Sequence, residues 1–374
     1  MNFKLTTMAC MLALAGVAQA QTSVQVYGTV DSGLFHQNTS AASFSPTAKP
    51  AGGVTRLKDG GIYSSSVGIK GNEDLGDGYA VNFKLQGVYD SSTGRFGLSD
   101  TTGVAALFNQ FATIGVSGPV GTFIAGRQII PMIYAMAETD VRAAQYFGSI
   151  LTGWIGINTA SGWAGTNTNT PIGALYDSNA LVYNSPVFGG FSTSLEYALG
   201  EVAGSGKAGS RQSVVLKYAN GGLKVSGAYY NAYDTNPAPN TNKTGVNNNR
   251  MVYLGALYTF DKLSFSGSYT NGKNPEASHR VNYDLYGLGL GYQLTPLLKL
   301  TSGAYYIKDK NISDNTSTEL AAGAEYGLSK RTTLYAQVGH VNNGGTMNQT
   351  IEFAAPVAPG KSTTGTMLGV RHVF

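Results

Sequence analysis

The groups that could carry out chemistry in this chain are few and scattered. The four histidines, His36, His279, His340 and His372, stand far apart in sequence. None has metal-ligand spacing to another or to a cysteine, so no metal site is expected. The single cysteine, Cys10, lies in an N-terminal apolar run. No Gly-x-Ser-x-Gly elbow supports a nucleophilic serine, and Ser64-Ser65-Ser66 reads as the polar face of a strand. Gly204-Ser205-Gly206 lacks the strand-then-helix setting of a phosphate loop. Neither catalysis nor a cofactor is expected. What remains are charges that could act on passing ions: Lys84, Arg127 and Lys217 on strand-like segments, and Glu138, Asp140 and Arg142 in the long connection between Gln128 and Asp177.

The elements that would position these charges follow from composition and periodicity. Residues 1–20 combine Lys4, an apolar run from Met8 to Val17, and the small-x-small site Ala18-Gln19-Ala20. That is the pattern of a cleaved secretory signal, and residues 21–374 are expected to form a single domain. Without Cys10 the mature chain would form no disulfide. Only 12% of residues are charged, about half of the roughly 25% usual in soluble proteins. The formal charge of +4 becomes +3 without Lys4, too mild for a nucleic-acid partner. After the leader, no apolar run reaches the length of a spanning helix.

Alternation with period two pervades the rest. Phe191, Thr193, Leu195 and Tyr197 oppose Ser192, Ser194 and Glu196, and Leu320, Ala322, Ala324, Tyr326 and Leu328 oppose Glu319, Gly323 and Glu325. Sixteen strands are predicted: 23–35, 62–71, 79–91, 106–117, 121–128, 178–185, 191–200, 211–219, 223–233, 250–260, 263–271, 282–293, 298–308, 319–328, 331–341 and 363–374. Short links such as Asn220–Gly222 and Asp261–Lys262 alternate with longer polar ones such as Thr235–Asn249 and Asn342–Ser362. Aromatics gather at strand ends: Tyr27, Tyr79, Tyr89, Tyr197, Tyr218, Tyr258, Phe260, Tyr292 and Tyr326. Both features fit an all-β, sixteen-stranded antiparallel transmembrane β-barrel with interfacial aromatic girdles in the outer membrane. An even count closes the sheet without an edge, and sixteen strands leave room for an aqueous channel. The last strand ends on Phe374 and places Val370 and His372 with it on the lipid face, a candidate barrel-assembly signal. The connection of about fifty residues between Gln128 and Asp177 breaks the rhythm, and a loop that long is usually functional. It is expected to fold inward and narrow the lumen.

The residues also resemble a family. Val26-Tyr27-Gly28-Thr29-Val30-Asp31-Ser32-Gly33, the run Gly68 to Gly78, Leu107 through Gly115 to Gly126-Arg127-Gln128, Asn179 to Tyr183 with Ser185-Pro186 and Phe188 to Phe191, and Gly369 to Phe374 are similar to the Gram-negative general porins of β-proteobacterial type. The resemblance spans residues 24–374. It implies a homotrimer in contact with outer-membrane lipid and lipopolysaccharide. It also implies an inward third loop and passive diffusion of ions and small hydrophilic solutes, often with anion preference set by arginines on the wall. This chain departs from that pattern at three wall positions, where the anion-selective branch carries arginine and it has Ser66, Gln110 and Tyr176. A charged ring sets the sign of selectivity. Weak anion preference is therefore expected, with Lys84, Arg127 and Lys217 remaining on the wall and Glu138 and Asp140 less compensated on the loop. The competing reading is a substrate-selective channel or a loop-mediated adhesin on the same barrel. An aromatic track for the former would draw on Tyr230, Tyr283, Tyr305 and the loop tryptophans.

Overall fold

A computed structural model describes residues 23–235, 243–276 and 280–374. The proposed leader and His279 lie outside them, as does part of the 235–249 connection.

The chain is a closed sixteen-stranded antiparallel β-barrel. Seventeen strand segments occur because one stave is broken in two. β1 (Ser23–Gln37) pairs along one edge with β17 (Thr363–Val373), from Thr29↔Val373 to Gln37↔Gly365, which closes the cylinder. Its other edge is shared by β2 (Val54–Asp59) and β3 (Ser65–Gly76). β2 was not anticipated from the sequence. The second stave was expected as 62–71, but residues 60–64 leave the ladder for a physical reason: the buried Asp31 carboxylate accepts the N–H groups of Gly61, Ile62 and Tyr63 at 3.2, 3.0 and 3.1 Å. Gly60, at φ +81°, makes the exit turn.

The remaining staves follow in chain order, each paired with the next: β4 (Tyr79–Tyr89), β5 (Phe111–Gly118), β6 (Gly121–Ile129), β7 (Tyr176–Asn184), β8 (Phe191–Ala198), β9 (Arg211–Asn220), β10 (Leu223–Tyr233), β11 (Asn247–Phe260), β12 (Leu263–Lys273), β13 (Asn282–Gln293), β14 (Leu298–Asp309), β15 (Thr316–Gly327) and β16 (Thr332–Asn343). β5 starts later than expected. Residues 106–110 are held beside the ladder by the Asn109 carboxamide, which accepts from Val88 N at 2.9 Å and donates to Val88 O at 3.0 Å.

One parity of the staves forms an apolar outer belt. Leu254, Leu288, Leu320 and Leu368 are each more than half exposed, as expected where lipid replaces water. Tyr79, Tyr258, Phe260, Tyr292 and Tyr326 are exposed beside the short turns and make one girdle. Tyr27 does not join it: its hydroxyl donates inward to Gln86 Oε1 at 2.6 Å.

The long connection contains two short helices, α1 (Pro131–Glu138) and α2 (Ile150–Ala160). Proline at the first turn starts α1, where its missing N–H costs nothing. Ser149 caps α2, and Thr152 completes the reciprocal box. Ile150 through Thr159 are all buried, so no amphipathic period marks α2. Both helices pack on wall side chains of the inward parity, including Tyr230, Tyr253, Tyr283, Leu285, Tyr305 and Ile307. The inner wall is thus polar across β3–β7 but aromatic and aliphatic from β10 to β14, where the helices need an apolar seat. Tyr230, Tyr283 and Tyr305 lie under that seat and form no track along open space.

Candidate functional site

The candidate site lies between the free edge of α1 and the wall of β3–β7. On α1, Tyr134 and Glu138 are exposed while Pro131, Met132, Ile133, Ala135 and Met136 are buried. The i, i+4 spacing places the two exposed residues on one helix face. Glu138 Oε1 meets Lys217 Nζ on β9 at 2.8 Å. It is therefore compensated, contrary to the sequence expectation.

The facing wall carries a chain of neutral donors and acceptors. Tyr27 Oη donates to Gln86 Oε1, Gln86 Nε2 donates to Gln110 Oε1, and Gln110 Nε2 donates to Tyr176 Oη at 3.3 Å. Two of the three positions where the resemblance implies arginine, Gln110 and Tyr176, are thus directly joined. Ser66 is buried on β3, opposite Thr29 and Val88. Lys84 Nζ stands 3.5 Å from the centre of the Phe111 ring and 5.9 Å from the centre of the Tyr27 ring.

Arg127 is the most heavily bonded wall cation. Its Nε donates to Asn109 O at 2.6 Å, Nη1 to Asp100 Oδ1 at 2.7 Å and to Ser178 Oγ at 2.8 Å, and Nη2 to Thr168 Oγ1 at 3.0 Å. The guanidinium also covers the Tyr176 ring at 5.1 Å. Burial pushes the Asp100 carboxyl upward, but Arg127, Ser178 and Thr168 outweigh it and hold the group below its ordinary value. The pair is therefore ionised and mutually neutralising. Asp100 was missed in the sequence because it lies in the 90–110 connection, with no spacing that links it to Arg127.

Asp140 and Arg142 are not exposed to the lumen, which corrects the expectation that they line it. Asp140 accepts from Tyr305 Oη at 2.8 Å and from Ala144 N at 3.1 Å. Burial raises its pKa despite these bonds. Arg142 is fully buried. Its guanidinium donates to the carbonyls of Gly148 and Phe147, to Thr301 Oγ1 on β14 at 2.9 Å and to Gln337 Oε1 on β16 at 2.5 Å. Two oppositely charged residues close in sequence read as candidate pore charges, but in space they fasten the connection to the wall. The return leg is fastened by Arg211 on β9, which pairs with Asp177 and donates to Asn169 Oδ1 at 2.7 Å; sequence reasoning missed this pair too.

At the end of the barrel, Phe374 N donates to Gly28 O at 3.0 Å and Gly28 N to Phe374 O at 3.2 Å. Val370 and His372 are exposed on the outer parity beside it, as the alternation implied.

Comparison with known proteins decides the family. Residues 6–346 match the sequence profile of the Gram-negative porins. The chain belongs to the Gram-negative porin family. It is similar to outer membrane porin protein 32 of Delftia acidovorans, with 27% identity over 97% of each chain. It is also similar to the major outer membrane protein P.IB of Neisseria gonorrhoeae, with 25% identity over 92% of this chain and 96% of the other. The fold resembles the solved anion-selective porin from Comamonas acidovorans, at TM-score 0.77 and 23% identity, covering 94% of this chain and 100% of that one. A trimer form of OmpT from Vibrio cholerae matches at TM-score 0.64 and 16% identity, over 94% and 99% of the two chains. This porin is therefore an outer-membrane protein whose barrel forms a channel for passive diffusion of ions and small hydrophilic solutes.

Proposed function

We propose that this porin is a general diffusion channel with little preference for anions, narrowed where the α1 face of the inward-folded connection approaches the β3–β7 wall. The observation that carries this reading is the neutral relay Tyr27–Gln86–Gln110–Tyr176, which includes Gln110 and Tyr176, two of the three positions where the family resemblance implies arginine. Of the three wall cations expected from the sequence, two add little net charge, because Arg127 is matched by Asp100 and Lys217 by Glu138. Lys84 is the wall cation of this set without a carboxylate at contact distance among the described residues. Charge at a constriction governs ion sign, and a matched pair presents a dipole to a passing ion. The narrowing rests on Tyr134 and Glu138, with Ser66, Lys84, Gln110, Tyr176 and Arg127 opposite; Asp140 and Arg142 serve as anchors of the loop.

The reading extends to a homotrimer held in lipid and lipopolysaccharide, supported by the trimeric OmpT relative, and to a non-enzymatic role. It includes cleavage of residues 1–20 as a leader from a single barrel domain. Reversal potentials across a planar bilayer in a potassium chloride gradient test the selectivity. Near-equal permeabilities are expected, and a strong chloride preference would refute the reading.

A further inference from the structure

All but three of the lysines and arginines on the staves take the inward parity. Arg250 on β11, Lys273 on β12 and Lys308 on β14 take the outward one, and all three lie at the long-loop end of the barrel. Arg250 and Lys273 are direct cross-strand partners. Lys310, one residue past β14, continues the row: its N–H donates to Asn282 O at 2.8 Å, and Asn282 is the partner of Lys273. Like charges directly opposite each other on a sheet are destabilising, so the row costs the isolated barrel stability.

The outward face below this row is ordered in depth. Tyr269, on the same parity as Lys273, lies beside Tyr286 with ring centres 5.4 Å apart, and Tyr286 lies beside Tyr306 at 6.4 Å. Leu288 and Leu320 come next toward the middle of the barrel and are more than half exposed. Cations, tyrosines and leucines thus follow the order of a lipid leaflet entered from outside: headgroups, interface, acyl chains. The carboxylates nearby are already engaged. Asp284 accepts from Tyr269 Oη at 2.9 Å and Asn271 Nδ2 at 2.8 Å and meets Lys310 Nζ at 3.4 Å. Glu276 accepts from Asn247 N at 2.8 Å. Among the described residues Arg250, Lys273 and Lys308 have no ion pair, and Arg250 Nε donates to the neutral Asn231 Oδ1 at 3.2 Å.

We propose that this row binds the phosphorylated headgroup of an outer-leaflet glycolipid, with one phosphate at Arg250 and Lys273, another at Lys308 and Lys310, and acyl chains over the leucines below the tyrosines. Guanidinium and ammonium groups hold phosphate through charge-assisted hydrogen bonds. Three strand spacings separate β11 from β14, roughly 14 Å, which suits a headgroup phosphorylated at both ends better than a single small anion. A water-soluble partner could meet the cations but not the leucines beneath them, which face lipid. The site rests on the reading of the barrel as one held in lipopolysaccharide and gives that contact a place.

The folded barrel in detergent is titrated with bisphosphoryl lipid A, and its unfolding temperature is read from heat-modifiable gel mobility. A saturable rise is expected, with no comparable rise from phosphatidylethanolamine or inorganic phosphate. The double variant Arg250→Gln/Lys273→Gln should need about tenfold or more lipid A for half saturation, since each cation near an anionic lipid surface contributes about fivefold. Lys299→Gln, an inward cation on β14, should leave the half-saturating concentration where it is. Planar-bilayer conductance verifies an intact barrel in each variant. A parent that responds to lipid A with the same half saturation in the double variant, an equal shift in Lys299→Gln, or equal protection by inorganic phosphate would overturn the site while leaving the lipopolysaccharide reading in place. A parent indifferent to lipid A would overturn both. A double variant that falls from trimer to monomer without lipid would assign the face to contact between copies of the chain and overturn the site as well.

Discussion

Arg142→Met tests whether the long connection is held as a narrowing element. In the parent, the guanidinium joins the connection to β14 through Thr301 and to β16 through Gln337, and closes its own turn through the carbonyls of Phe147 and Gly148. Hydrogen bonds to charged groups contribute about 1.5–3 kcal/mol each, so the two wall bonds account for roughly 3–6 kcal/mol. Removing the cation also recovers part of the cost of burying it, which amounts to several kcal/mol for a buried ion. The four acceptors are left behind, and a net loss of about 2–4 kcal/mol in docking follows. That changes the docked-to-undocked ratio by about 30- to 700-fold. The apolar seat of Trp154, Ile157 and Leu151 remains, so the connection should fluctuate, not detach. In single-channel records the variant should show larger open-state noise and a raised mean conductance, while folded barrels retain their heat-modifiable mobility. Arg142→Lys should give a similar phenotype, because an ammonium cannot reach four acceptors with the fixed fork of a guanidinium. Noise and conductance matching the parent in a correctly folded barrel would refute the assignment of Arg142 as the tether.

Four further outcomes are expected. Gln110→Arg breaks the relay to Tyr176 and adds a positive charge to the wall, so the reversal potential should move toward chloride; no movement would argue against the location of the constriction. Asp100→Asn frees the Arg127 charge and should shift selectivity in the same direction, with a smaller effect at high salt because screening tightens. Burial pushes Glu352 up to about 8, while Lys58 and Arg56 oppose the shift. An acid raised in the folded state stabilises it fully below its ordinary pKa of 4.5, and that contribution is lost as pH rises toward 8; hydrogen exchange in the 344–362 connection should therefore accelerate from pH 6 to 9, and Glu352→Gln should flatten the dependence. Gly148 sits at φ +53°, and a Cβ there would come within 2.2 Å of Ala321 Cβ, so Gly148→Ala should displace the connection and reproduce the Arg142→Met noise.

The sequence by itself determined the barrel. Its signal is local and repeated: each stave must present one apolar parity to lipid, so Leu263 and Phe265, or Leu320 and Tyr326, announce their facing without knowledge of any neighbour. The alternation of short and long links, and the outward Val370 and His372 before Phe374, follow from the same rule. What the tertiary structure decided lies on the inside. A lumen position is not constrained by a common solvent, so Asp140 and Arg142 look alike to Glu138 in sequence, yet the first two are buried anchors and the third is exposed beside Lys217. The aromatic seat under α2 carries no helical period because α2 is enclosed on every side. The break at residues 60–64 depends on the Asp31 carboxylate of a neighbouring stave, and the neutralisation of Arg127 depends on Asp100 from a separate connection. Such pairings join residues distant in sequence through the curvature of the closed sheet, and only the closed barrel brings them within hydrogen-bonding distance.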